Sequence, residues 1–210
     1  MKHPADARLY GIVDLGYVAA ADAVAAAGEL IAGGVDIIQL RAKGAPLDLV
    51  SGLARAIHAS TAAAGVPLII NDHPQLLREV PAEGVHVGQD DMTVAGARAA
   101  AGRPCIVGKS THSLAQAGSA AAEGADYIGF GPLFATPTKP GRPAVGLADI
   151  ASVHAVVDIP VFCIGGIKLD NLPEVLVAGA RRVVIVSAWL RAASIAGAVR
   201  ATSGVLDACG

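Results

Sequence analysis

The sequence is short of charge. Only 16% of its 210 residues are charged, against 53% hydrophobic, and the formal net charge is −2. That balance excludes a disordered chain and gives no general attraction for nucleic acid or an anionic membrane. There are three cysteines, Cys105, Cys163 and Cys209, with neither metal-ligand nor disulfide spacing. Two of them lie inside apolar runs, where Cys behaves as a small buried hydrophobe. The expected setting is therefore reduced and cytoplasmic. No uncharged apolar run reaches membrane-spanning length, and the stretch MKHPADARLYGIVD has no signal-peptide core. Linkers and low-complexity segments are missing too, so one domain over residues 1–210 is expected, with its core at about 9–200.

What is present is a repeated unit. Short β-branched runs recur at 9–14, 35–41, 67–72, 84–89, 105–110, 126–132, 160–167 and 182–188. Between them lie Ala-rich stretches with helical spacing, at 21–32, 47–64, 94–101, 113–123, 147–156 and 171–178. Several of the strand runs are apolar throughout rather than alternating, the pattern of parallel strands covered on both faces. Ser113, Asp149 and Asp170 stand where helix N-caps belong, and Gly65 and Gly179 stand where helices end. Eight strand–helix units in this length predict an α/β fold, a (β/α)₈ TIM barrel. The runner-up, an open doubly wound sheet, normally carries a Gly-rich fingerprint after its first strand. VDLGYVAA does not supply one.

In such a barrel the chemistry sits at the C-terminal strand ends. Strand two ends in Gln39, Arg41 and Lys43, three long polar side chains at alternating positions and so on one face. Strand three ends in Asn71 and Asp72, strand four in Gln89, Asp90 and Asp91, and strand five in Ser110 and His112. Strand six runs into a long loop with Thr136, Thr138, Lys139 and Arg142; strands seven and eight end in Gly165-Gly166 and Val186-Ser187. Arg and Lys bind phosphate oxygens. Facing carboxylates pair with such cations or hold a Mg²⁺ that bridges phosphates. Glycine turns beside a hydroxyl offer backbone N–H groups to an anion.

Each element alone has a plainer reading. Arg41 and Lys43 would serve as a solvated strand end, Asn71-Asp72 as a turn before Pro74, and Asp90-Asp91 as an N-cap. Gly165-Gly166 would be a tight turn and Ser187 a cap. His86, inside a strand run, reads as a hydrogen-bonded barrel histidine. His112 is the one histidine kept as a candidate acid or base.

Taken together and in order, QLRAK (39–43), IIND (69–72), GVHVGQDD (84–91), GKSTHS (108–113), GADYIGFGPLFATPTK (124–139), IGGI (164–167) and VSA (186–188) resemble the thiamine phosphate synthase family. The likeness runs from about Leu9 to Leu190. It implies a (β/α)₈ barrel and a Mg²⁺-dependent transferase, acting on small phosphorylated substrates with no nucleic acid or membrane partner. It implies that Gln39 meets an aminopyrimidine, with Leu40 and Ala42 beside it. Arg41, Lys43, Asn71, Ser110 and Lys139 would hold a diphosphate, with Arg41, Lys43, Ser110 and Lys139 as the catalytic set. Asp72 and Asp91 would ligate Mg²⁺. Thr136, Pro137, Thr138, Gly166, Val186 and Ser187 would hold the phosphate of a thiazole. Two positions depart from the family pattern. Ala42 stands where an acid is common, and is expected to point away from the site. Lys109 stands where a small apolar residue is frequent, and faces either the diphosphate or outward.

Two rivals share the fold. A thiazole tautomerase would need no pyrimidine diphosphate site, so Arg41, Lys43, Asn71-Asp72, Asp91 and the run Thr136-Pro137-Thr138-Lys139 tell against it. A silent thiamine-phosphate binder would need no metal pair. A homo-oligomer is compatible with the sequence. The 135–145 loop is a candidate lid.

Overall fold

The near-continuous apolar runs become eight short parallel strands in the computed structural model, which describes residues 1–136 and 143–209. They are β1 (Leu9–Asp14), β2 (Ile37–Arg41), β3 (Leu68–Asn71), β4 (Gly84–Val87), β5 (Ile106–Thr111), β6 (Tyr127–Phe130), β7 (Val161–Ile164) and β8 (Val183–Ile185). Each pairs with the next, and β8 pairs with β1 to close the barrel. The expected barrel is the observed one.

Helices follow the strands: α1 (Ala23–Gly33), α2 (Leu47–Ala63), α3 (Val94–Ala101), α4 (Leu114–Ala122), α5 (Ile150–Val156), α6 (Leu172–Val177), α7 (Ser187–Leu190) and α8 (Ile195–Cys209). After β3 a single 3₁₀ turn, Pro74–Arg78, replaces a helix. Of the expected caps, Ser113 holds: its hydroxyl accepts from the Gln116 N–H at 3.2 Å. Asp149 sits at its N-cap without a side-chain bond. Asp170 lies one residue too early and pairs instead with Lys168 at 2.7 Å. The N-cap before α3 is Thr93, bonded to the Gly96 N–H at 3.0 Å, and not the acidic pair Asp90-Asp91.

Strand alternation sorts the side chains into two layers. Val13, Ile38, Leu40, Ile70 and Val85 point outward and pack under the helices. Tyr10, Ile12, Ile37, Ile69, Tyr127, Phe162 and Val184 fill the barrel itself. The chain has seven aromatic residues, and three of them meet here. Phe162 stands edge-on to both tyrosines, with ring centroids 5.4 Å from Tyr10 and 5.5 Å from Tyr127. Truncating such a buried ring to Ala costs about 3–5 kcal/mol. β5 makes room with Gly108, where a Cβ would lie 2.1 Å from the Tyr127 ring. This aromatic layer seals the barrel and gives the strand ends above it a floor.

Candidate active site

Above the floor opens a cavity of about 900 Å³, continuous with solvent. Its wall includes Gln39, Arg41, Asn71, Ser110, Thr136, Gly166, Val186 and Ser187, so eight of the residues expected at the site line one space. Register explains the convergence. Arg41 lies opposite Asp14 across the β1–β2 pair, and Asn71 lies opposite His86 across β3–β4.

Asp14 was not anticipated, although it closes the run LYGIVD at the same level as Arg41. It is 1% exposed, and its Oδ2 accepts from Arg41 Nη1 at 2.7 Å. Its other oxygen accepts from the Gly16 N–H at 2.9 Å. One fork of the guanidinium is thereby fixed. A guanidinium carries five donors, so others remain to meet an anion. Tyr10, Tyr127 and Phe162 were also missed, because apolar runs conceal which of their rings face inward.

Lys43, Asp72 and Asp91 gather together: Lys43 and Asp72 follow the lining residues Arg41 and Asn71 in sequence, and Asp91 lies beside Asp72. Lys43 Nζ lies 3.4 Å from Asp72 Oδ2, with the lysine well exposed. Asp72 takes a left-handed backbone (φ +65°), uncommon for a residue with a side chain. Its N–H donates to the His86 carbonyl at 2.9 Å, which anchors the turn. Burial, then the neighbouring Asp91 carboxylate, raise the Asp72 carboxyl above its ordinary range, and Lys43 opposes them. Asp91 accepts from the Gly88 N–H at 2.7 Å. A Cβ at Gly88 would come within 2.6 Å of that carboxylate oxygen. Two carboxylates drawn together are the donor type of a hard divalent cation. Among the described residues no third His, Cys, Asp or Glu joins them, so further ligands would come from phosphate or water.

Elsewhere the cavity wall is backbone-rich. Gly165 and Gly166 hold φ of +101° and +68°. Added Cβ atoms would strike Pro132 at 2.4 Å and Phe134 at 2.7 Å. The side-chain amide of Asn171 donates to the Gly166 carbonyl at 3.0 Å and pins the turn. Ser187 opens α7 directly after Val186. His112 also lines the cavity, its Nδ1 donating to the Gly131 carbonyl.

Three expectations need comment. The side chains of Leu40 and Ala42 belong to the layer under the helices, because odd and even strand positions face opposite ways. Any contact they make with a ligand is through backbone. Lys109 faces outward: it is 6% exposed and pairs with Glu123 at 2.7 Å, which lowers the Glu123 carboxyl below its usual range. Pro137, Thr138, Lys139 and most of the 135–145 loop lie outside the described residues.

A closed parallel barrel whose strand ends carry a glycine turn, Arg41 and Lys43, and a carboxylate pair has the makings of a phosphate-handling barrel protein. The chain belongs to the thiamine monophosphate synthase family, whose model matches residues 9–189. It is 41% identical over 201 residues to the thiamine-phosphate synthase of Chloroflexus aurantiacus, covering 95% of this chain and 93% of that protein. It is 41% identical to that of Halalkalibacterium halodurans over 203 residues, covering 96% of each. The thiamine phosphate pyrophosphorylase structure from Pyrococcus furiosus superposes with a TM-score of 0.87 at 30% identity, covering 96% of both chains. A 3-hexulose-6-phosphate synthase at 20% identity and TM-score 0.66 shares the fold alone.

Proposed function

We propose that this transferase joins 4-amino-5-hydroxymethyl-2-methylpyrimidine diphosphate to hydroxyethylthiazole phosphate, or its carboxylate form, giving thiamine phosphate and diphosphate, with carbon dioxide also released when the carboxylate form is used. The observation that supports the reading is that one cavity is lined both by Arg41, Asn71 and Ser110 and by the Gly165-Gly166 turn and Ser187, two sets of groups suited to phosphate oxygens. The names of the relatives point the same way.

The bond from the pyrimidine methylene to diphosphate oxygen breaks, and the thiazole nitrogen supplies the electron pair for the new C–N bond. The aminopyrimidine itself spreads the developing positive charge, so no strong protein base is needed. Arg41, held by Asp14, and Lys43 neutralise the departing diphosphate, with Asn71 and Ser110 donating hydrogen bonds to it. Lys139 is the remaining cation of that set. Asp72 and Asp91 would hold Mg²⁺, whose charge stabilises the leaving group. Gly166, Ser187 and the Thr136–Thr138 stretch hold the thiazole phosphate, which aims the nitrogen at the methylene. The aromatic floor of Tyr10, Tyr127 and Phe162 keeps water from the far side of the ring. Burial raises both tyrosines well above the ordinary phenol value, so they stay neutral hydrogen-bonding groups.

No helix among the described residues is long and apolar enough to cross a membrane. A reduced, cytoplasmic setting suits this chemistry and the three free thiols. The test is a coupling assay with both substrates and Mg²⁺, reading thiamine phosphate by its oxidised fluorescent product. Product that disappears with EDTA is expected. No product from protein shown folded by circular dichroism would overturn the reading.

A further inference from the structure

Five polar side chains cross the barrel in one unbroken line. The Gln39 side-chain amide donates through Nε2 to the Tyr10 hydroxyl at 2.7 Å. The Tyr10 and Tyr127 hydroxyls are 2.8 Å apart. The Tyr127 hydroxyl is 3.1 Å from His86 Nδ1, and His86 Nε2 is 2.9 Å from Ser110 Oγ. The line starts at the residue assigned to the pyrimidine and ends at one assigned to the diphosphate. Both tyrosines are buried.

A phenol has one hydrogen to give, so the bonds of the whole chain run together in one of two senses. Where Tyr10 accepts from Gln39, as in this structure, its own hydrogen goes to Tyr127. Tyr127 then donates to Nδ1 of His86. A neutral His86 therefore carries its proton on Nε2 and donates to Ser110. The Ser110 hydrogen is left for an anion. In the opposite sense Ser110 gives its hydrogen to His86, every bond reverses, and Tyr10 donates to a flipped Gln39. Ser110 then presents only an acceptor, which a diphosphate oxygen repels. An anion at Ser110 thus selects the sense in which the Gln39 carbonyl oxygen faces the cavity.

We infer that Tyr10, Tyr127 and His86 form a polarity relay by which an anion at Ser110 sets the orientation of the Gln39 amide, so that the site selects a ring bearing an amino donor over one bearing an oxo acceptor. The three are positioning residues; they do not touch the reacting atoms. The inference rests on the proposed function and adds the reason an amino ring is preferred. In this sense Gln39 offers Oε1 to the amino group, while its second Nε2 hydrogen suits an acceptor ring nitrogen beside it. A 4-oxopyrimidine inverts that pattern. Tyr127→Phe cuts the relay at its centre, after which the Tyr10 hydroxyl serves either amide orientation.

The experiment is calorimetric titration, with Mg²⁺, of the aminopyrimidine diphosphate and its 4-oxo analogue into wild-type protein and Tyr127→Phe. Wild type is expected to prefer the amino form, and the variant to lose at least about tenfold of that preference, the size of one misdirected buried hydrogen bond. An unchanged preference in a folded variant would overturn the relay. The wild type supplies a second readout that needs no mutation: ¹⁵N shifts of His86 with inorganic diphosphate and Mg²⁺. A proton on Nε2 is expected, and a proton on Nδ1 sinks the inference. Failure of wild type to make thiamine phosphate would instead sink the proposed function, and the relay's preference with it.

Discussion

Arg41 and Asp14 face one another across the β1–β2 pair, 2.7 Å apart, with the carboxylate side chain 2% exposed and the guanidinium side chain 15% exposed. The difference in exposure predicts an asymmetry. Arg41→Ala strands a buried carboxylate and is expected to cost about 3–5 kcal/mol. Asp14→Ala leaves a guanidinium that can turn toward the open cavity, and is expected to cost less. Urea unfolding of the two variants tests this, and the reverse order would refute it. Arg41→Lys keeps the charge but loses the fork, so turnover is expected to fall at least about tenfold.

The carboxylate pair Asp72 and Asp91 should respond to metal before any chemistry is measured. Mg²⁺ that binds only the folded protein raises its melting temperature by mass action. Asp72→Ala and Asp91→Ala are each expected to abolish that rise and Mg²⁺-dependent turnover, with circular dichroism unchanged. A full Mg²⁺-dependent rise in either variant would remove that residue from the metal site.

Gly166 lines the cavity where the proposed function puts the thiazole phosphate. Gly166→Ala places a Cβ 2.7 Å from Phe134 in a left-handed turn, so the turn must shift. The KM for the thiazole phosphate is expected to rise about tenfold or more. Affinity for inorganic diphosphate, which the proposed function assigns to Arg41, Lys43 and Ser110, should change little. Equal losses for both ligands would mean the two sites are not separately built.

His154, on α5, titrates against its surroundings. Burial, then Arg181 and Arg182, lower its pKa below the ordinary 6.5. The unfolded chain therefore takes up the proton first. Stability is fully present above pH 6.5 and declines as pH falls below it toward the lowered folded value. Its Nε2 is buried without a partner, and so is Nε of Arg182. His154→Leu is expected to flatten that part of the pH–stability curve, measured by urea unfolding between pH 7.5 and 5.5. An identical slope in the variant would assign the loss to other groups.

Much of this was legible from residue order. The strands and the first six helices fall within a few residues of the Ala-rich and β-branched runs, because a doubly covered parallel strand must be apolar throughout. The same uniformity hid what matters inside. Nothing in GADYIGFGP distinguishes inward Tyr127 from outward Ile128 until register is known. Asp14 was overlooked because a lone acid at a strand end resembles a turn residue. Asp90-Asp91 suggested a helix cap, yet Thr93 caps α3 and Asp91 bonds back to Gly88. Lys109 was ambiguous for want of its partner Glu123, fourteen residues away on the far end of α4.

The fit of Tyr127 against Gly108 has a consequence for descent. A side chain at position 108 overlaps the ring at 2.1 Å, while losing the ring opens a void beside Phe162 and breaks the line from Gln39 to Ser110. Neither residue can be exchanged alone without damage, so a lineage that altered one would need the other to change with it. The two positions should therefore drift as a linked pair, and a chimera that takes β5 from one relative and β6 from another would be the place where that linkage shows.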